Sequence, residues 1–198
     1  MRNLEELEEF MTRPSTQLVE DMKTIDGDLL ILGVGGKMGP TLAKMAKRAI
    51  HEAGITKKVI GASRFSSGTL KQELEDFGIE TIAVDLLKDE ELQTLPDVKN
   101  VIFMAGNKFG TSGNEHFTWA MNAYLPGRVA EKYKNSRIVA FSSGNVYPLT
   151  NVVNGNCSED TSPGPIGEYA QSCLGRERVL TNFAVTNNTP TVLFRLNY

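Results

Sequence analysis

Three glycines set the chemistry of this chain. In Gly33-Val34-Gly35-Gly36-Lys37-Met38-Gly39 they recur at three-residue spacing, directly after the apolar run Leu29-Leu30-Ile31-Leu32 and at the start of a helical periodicity. A strand–turn–helix with that spacing binds the pyrophosphate of a dinucleotide. Gly33 makes the tight turn, Gly36 lets backbone N–H groups approach the phosphates, and Gly39 permits close helix–strand packing. The helix N-terminus adds partial positive charge, and Lys37 and Met38 complete the turn and join the cofactor-binding set. The alternative is a glycine-rich structural turn with no ligand. The second apolar run ends in Ala62-Ser63-Arg64, where an acidic residue would favour NAD. Ser63 and Arg64 suit a 2′-phosphate instead, so NADP is preferred to NAD, against the alternative that Arg64 only faces solvent.

Other chemistries find little support. Cys157 and Cys173 make a poor disulfide framework, and His51 and His116 stand alone, so both cysteines read as thiols and no metal site is expected. A formal charge of -3, with no basic patch among aromatics, argues against a nucleic-acid partner. No run of about 18 apolar residues could span a bilayer. No apolar segment follows Met1, so a cytoplasmic location is the expectation. With 198 residues, 40% hydrophobic and 23% charged, the chain can bury a full core.

The elements that must position these residues follow a βα pattern. Residues 1–27 read as a charged helical extension, with Leu18, Val19 and Met22 at helical spacing, and residues 28–198 as one dinucleotide-binding domain. Six apolar runs, at 29–32, 59–62, 81–84, 101–104, 137–141 and 191–194, are apolar on successive residues, as in strands covered on both faces. Helical periodicity links them. Leu42, Met45, Ala46, Ala49 and Ile50 stop at Gly54, and Leu70, Leu74 and Phe77 stop at Gly78, each glycine a left-handed cap. Longer helices are predicted over about 115–132 and 169–181, and the loop from Pro148 to Gly167 is long enough to be functional or disordered. The expected fold is a Rossmann-type doubly wound parallel sheet in three α/β/α layers.

These residues resemble the NAD(P)-dependent epimerase/dehydratase family, the extended short-chain dehydrogenases that act largely on nucleotide sugars, over about residues 28–198. The resemblance places Asp85-Leu86 against the adenine. It places Ala105 and Gly106 along the cofactor and Lys108 near the nicotinamide ribose or phosphates, and it matches Asn122 to the family's helix asparagine. Phe141-Ser142-Ser143-Gly144-Asn145-Val146-Tyr147-Pro148 is similar to the Ser-Ser/Thr-x-x-Val-Tyr-Gly motif and makes Ser143 the group that hydrogen-bonds a substrate oxygen. An ordinary strand-to-loop transition is the alternative there. Phe194-Arg195-Leu196-Asn197-Tyr198 resembles the last core strand and the start of an Arg-x-x-Asn-x-Tyr-Gly segment, so a substrate domain is expected to be missing from the chain. The resemblance also implies a carbohydrate-like substrate and a homodimer formed through the helices near 115–132 and 169–181.

The catalytic Tyr-x-x-x-Lys aligns with Tyr169-Ala170-Gln171-Ser172-Cys173, so Cys173 stands where the lysine belongs. Four-residue spacing puts the two on one helix face. The lysine would lower the tyrosine pKa, which a neutral thiol cannot do. Three accounts remain open. Another cation replaces it, with Lys108 favoured and Arg176 expected to lie too far along the helix; Cys173 acts itself; or the site is silent and the protein is a regulatory or scaffolding dinucleotide-binding module. Phe117 and Trp119 read as packing, and His116 as a solvated helix start.

Overall fold

The computed structural model describes residues 3–66, 68–151, 153 and 155–196. The chain divides into two compact units, Met1–Met104 and Ala105–Tyr198. The first holds α1 (Leu4–Met11), α2 (Thr16–Thr24), β1 (Leu29–Leu32), α3 (Gly39–Glu52), β2 (Val59–Ser63), α4 (Leu70–Asp76), β3 (Glu80–Ala83), α5 (Asp89–Thr94) and β4 (Asn100–Phe103). Its strands are parallel in the order β3-β2-β1-β4. Leu32 lies opposite Ala62 and Phe103, and Ser63 opposite Ala83. The chain therefore leaves β1, β2 and β3 along one carboxyl edge, where open α/β sheets bind ligands.

β1 is apolar at every position because both its faces are covered. Leu29 and Ile31 pack with Ala43, Ala46, Ala49 and Ile50 of α3 and Leu74 of α4, while Leu30 and Leu32 on the opposite face are fully buried. The small residues of α3 bring that helix close to the sheet. Gly54 and Gly78 take the expected left-handed conformation, at φ +66° and +80°. The N-terminal segment forms two helices that break at Arg13-Pro14. Asn3 Oδ1 caps α1 by accepting from Glu6 N at 2.8 Å, and Ser15 Oγ caps α2 by accepting from Leu18 N at 3.2 Å. α2 buries Met22 in the core; α1 buries no residue and is held on α3 by the ion pairs Lys44–Glu8 and Arg48–Glu9.

The second unit holds α6 (Glu115–Trp119), a π-helical turn (Ala120–Tyr124), α7 (Leu125–Lys132), β5 (Arg137–Ser143), a 3-10 turn (Gly144–Val146), α8 (Gly167–Asn187) and β6 (Thr191–Leu196). β5 and β6 are parallel, with Ile138 opposite Thr191 and Ser143 opposite Leu196. With four parallel strands in the first unit and two in the second, flanked by helices, the chain has the Rossmann-type α/β fold.

Several boundaries differ from the sequence expectations. The helix over 115–132 contains a π turn, because Pro126 has no N–H to offer the carbonyl of Asn122 four residues back. The helix expected to stop near Thr181 continues to Asn187, where Asn188 caps it at φ +53°. β3 and β4 each begin one residue earlier than their apolar runs, and α5 has too few residues to show a period. In β6, Val192 and Phe194 are half exposed, so successive apolar residues there do not mean two covered faces. Asn197 and Tyr198, together with Ser67, Val152 and Asn154, lie outside the described residues. Among the described residues no helix is long and apolar enough to cross a membrane.

Candidate functional site

The glycine turn is built on contacts that no side chain could share. Gly33 sits at φ +87° and donates its N–H to Ala62 O at 2.8 Å, while Gly36 N–H closes the turn on Gly33 O at 3.0 Å. A Cβ on Gly36 would lie 3.3 Å from Gly33 O, and one on Gly39 would collide with the Val34 carbonyl. Gly35, unassigned from spacing, is also crowded: its Cβ would lie 2.5 Å from Ser63 Oγ. Lys37 and Met38 are exposed, and no side chain caps the N-terminus of α3, whose first turn contains Pro40. That leaves its first N–H groups without a side-chain acceptor. Arg64 is exposed at the end of β2. Asp85 shapes its own loop, its carboxylate accepting from Leu87 N at 3.1 Å, and Leu86 is buried.

In the second unit β5 ends at Ser143, a buried residue whose Oγ accepts from Asn145 N at 3.1 Å. The side chains of both Ser143 and Cys173 act on the Tyr169 hydroxyl, so these three lie together. Burial pushes the Tyr169 phenol above its ordinary 10.0, and Cys173 adds to the rise; the Ser143 hydroxyl and the Arg176 charge oppose it. Cys173 is 1% exposed. Burial pushes its thiol above the ordinary 9.0, and the Arg176 charge is the largest opposing influence. Both groups are protonated at neutral pH.

One sequence expectation needs correction here. Arg176 is not remote: its charge acts on both Tyr169 and Cys173, whereas Lys108 is exposed, lies over the Phe109 ring at 5.7 Å and has a smaller influence on Cys173. The buried guanidinium donates from Nε to Asn122 O at 3.2 Å, from Nη2 to Asn122 Oδ1 at 3.0 Å and from Nη1 to Phe141 O at 2.5 Å. The first of these acceptors is the carbonyl that Pro126 cannot serve. Gly106 makes room for the group, since a Cβ there would stand 2.8 Å from Nη2. Asn122, placed with the cofactor contacts by resemblance, is fully buried and fully engaged. Its Oδ1 also accepts from Asn107 N at 2.8 Å, and its Nδ2 donates to Asn107 O at 2.9 Å and Ser172 Oγ at 3.0 Å. It positions the chain after Ala105, itself buried, and ties it to α8.

A second buried network joins Ser142, Glu177 and Arg195. Ser142 Oγ donates to Glu177 Oε1 at 2.6 Å, and Arg195 donates to both Glu177 oxygens, at 3.0 Å from Nε and 2.8 Å from Nη2. Arg195 also stacks 4.7 Å over the Tyr147 ring. These contacts anchor the end of β5, and with it Ser143, to α8 and β6.

A cleft of about 300 Å³ opens beside Tyr169, with Thr111, Ser112, Glu115, Asn145 and Glu168 among its walls. Backbone N–H groups hold the Glu115 carboxyl below the ordinary carboxylate value, Gly113 N among them at 2.8 Å. The Trp119 indole donates to Glu168 at 2.5 Å and its ring packs against Gly175, so it braces α6 on α8. Hydroxyls, an amide and carboxylates suit a ligand rich in hydroxyl groups.

Among solved structures, similarity extends to a UDP-glucuronic acid 4-epimerase from Bacillus cereus in complex with NAD (19% identity, TM-score 0.67, 85% of this chain and 56% of that chain). It also extends to a UDP-Glc/GlcNAc 4-epimerase from Campylobacter jejuni (20%, TM-score 0.70, 85% and 52%). A third is a short-chain dehydrogenase/reductase superfamily protein from Agrobacterium tumefaciens with bound NAD (22%, TM-score 0.68, 84% and 48%). The chain spans about half the length of these structures. No curated protein matches its sequence. The glycine turn, the parallel sheet and the Ser143–Tyr169 pair all fall within residues 29–197, which match the model of the NAD dependent epimerase/dehydratase family, and the chain belongs to that family.

Proposed function

We propose that the protein is an NAD(P)-dependent oxidoreductase of epimerase, dehydratase or reductase type, acting on a sugar or nucleotide sugar. The observation that carries this reading is the placing of Ser143 and Tyr169 together beside a polar cleft. A dinucleotide fits the first unit. The turn from Gly33 to Gly39 excludes a side chain at Gly39, leaves little room for one at Gly35 or Gly36, and ends in a helix with no side-chain cap, which suits a pyrophosphate. Residues 28–198 then act as the dinucleotide-binding domain and 1–27 as a helical extension. The bound nicotinamide would take or return hydride.

Ser143 would hold the substrate hydroxyl or carbonyl oxygen, and Tyr169 would exchange its proton. Because burial keeps the phenol protonated, Tyr169 gives a proton to a developing alkoxide more readily than it takes one, which favours carbonyl reduction at neutral pH. That the similar structures from Bacillus cereus and Campylobacter jejuni are UDP-sugar epimerases supports the substrate class. The test is hydride transfer followed by nicotinamide absorbance, with NADPH or NADH and keto-sugar nucleotides. Tyr169→Phe should lower turnover by about 10²- to 10⁴-fold, and equal turnover in the two proteins would sink the reading. Arg64→Ala should weaken NADP binding while sparing NAD; an unchanged ratio of affinities would remove the NADP preference.

A second reading, a silent dinucleotide-binding module, draws on the neutral Cys173 thiol beside Tyr169. On that reading a saturating dinucleotide, at about 100 times its Kd, stabilises the fold by about 2.7 kcal/mol, yet the wild type transfers no hydride. Detectable transfer by the wild type excludes it.

A further inference from the structure

A tyrosine hydroxyl that must exchange protons in a partly buried site needs a positive charge held close to it, and Cys173 cannot supply one. We propose that Arg176, two helical turns beyond Tyr169, is the fixed cation of this site and acts as a positioning residue that sets the protonation of Tyr169 through space. The proposal rests on the catalytic reading of Tyr169 given above.

The geometry is specific. Three acceptors hold the guanidinium from three directions: the main-chain and side-chain oxygens of Asn122 and the Phe141 carbonyl. All three are neutral oxygens, and the Glu177 charge favours the charged form of the guanidinium. They come from the π turn and from β5, the strand that ends in Ser143, so the cation is locked to the element presenting the other half of the hydroxyl pair. Two local features create the seat. Pro126 frees the Asn122 carbonyl, and Gly106 leaves the space a side chain would fill, since its Cβ would come within 2.8 Å of Nη2. Burial makes a guanidinium better suited to this seat than an ammonium, because its planar fork serves several acceptors at once and it resists deprotonation.

The charged and titratable groups around Tyr169 come from several elements. Cys173 and Glu177 lie on its own helix, Arg195 on β6 pairs with Glu177, Glu115 and Glu168 line the cleft, and Lys108 follows β4. Glu177 meets its charge in Arg195 at 2.8 Å. Arg176 is the cation that favours ionisation of both Tyr169 and Cys173.

The test reads Tyr169 directly rather than through turnover. Fluorotyrosine-labelled protein is titrated by ¹⁹F NMR, with the Tyr169 signal among the chain's five tyrosines identified by its loss in Tyr169→Phe. Arg176→Gln should raise the Tyr169 midpoint by about one pH unit, while Arg176→Lys, which keeps the charge but loses hydrogen bonds, should move it much less even as its melting temperature falls. An unchanged midpoint in folded Arg176→Gln, or equal shifts in the Lys and Gln variants, would overturn the proposal. Should Arg176→Gln fail to fold, Gly106→Ala displaces the guanidinium with its charge intact; a raised midpoint supports the proposal and an unmoved one refutes it. The titration needs no substrate, so a wild type without hydride transfer would defeat the catalytic reading while leaving the Arg176 result standing or falling by itself.

Discussion

Cys173 lies one helical turn from Tyr169, and because it is buried its thiol stays neutral where a lysine would carry charge. Replacing it by lysine restores an opposite charge within reach of the phenolate, so Cys173→Lys should lower the Tyr169 midpoint by about one unit or more. Hydride transfer at pH 7 should rise with it, and a pH–rate profile of the two proteins measures both. The same burial has a consequence for stability. Tyr169 and Cys173 both have folded pKa values raised above their ordinary 10.0 and 9.0. The native state therefore keeps these protons when the unfolded chain has begun to lose them, and the stability they lend, complete below pH 9, is lost as pH climbs. Denaturation midpoints should fall above that pH, and Cys173→Ala should flatten the first part of the fall. The family resemblance singled out Ser143 and Tyr169, and four-residue spacing put Tyr169 and Cys173 on one helix face, because a helical repeat is a local fact. Spacing misjudged Arg176, because the reach of a long side chain depends on acceptors from other elements.

At the scale of elements, glycines decide where helices and strands can meet. Gly39→Ala places a methyl group on the Val34 backbone and should cost about 3 kcal/mol, with dinucleotide binding lost. Gly54→Ala meets open space and has only its φ of +66° to contend with, so it should cost about 1 kcal/mol. Chemical denaturation of the two variants tests the order, and equal costs would contradict the packing role of Gly39. The joint between the π turn and α8 depends on Asn122 in the same way. Asn122→Ala leaves Asn107 N–H, Ser172 and Arg176 short of partners and should cost about 3 kcal/mol, with Asn122→Asp intermediate. The cap positions Gly54 and Gly78 were legible from composition, but the π turn was not. Pro126 signals a break, and only the arrival of Arg176 at the freed carbonyl shows how the chain continues through it.

Across the whole molecule, burial is uneven, and its distribution separates the folded frame from its attachments. α1 contributes no buried residue and rests on α3 through ion pairs, Glu8 with Lys44 and Glu9 with Arg48. Exposed pairs are weak and screened by salt. Glu9→Gln should therefore speed amide exchange throughout α1 while leaving the melting temperature of the remainder unchanged; a cooperative loss of both would show that α1 belongs to the core. The sequence by itself determined the parallel βα order and the glycine turn, since periodicity and turn stereochemistry act over a few residues, while Ser143, Tyr169 and Cys173 were singled out by resemblance to the family. Tertiary structure decided which cation stands by Tyr169, that Asn122 braces the chain after Ala105, and that Gly35 and Gly106 lie close against the Ser63 and Arg176 side chains. Those outcomes depend on contacts between residues far apart in the chain, where buried polar groups must all find partners, and no local pattern encodes that requirement.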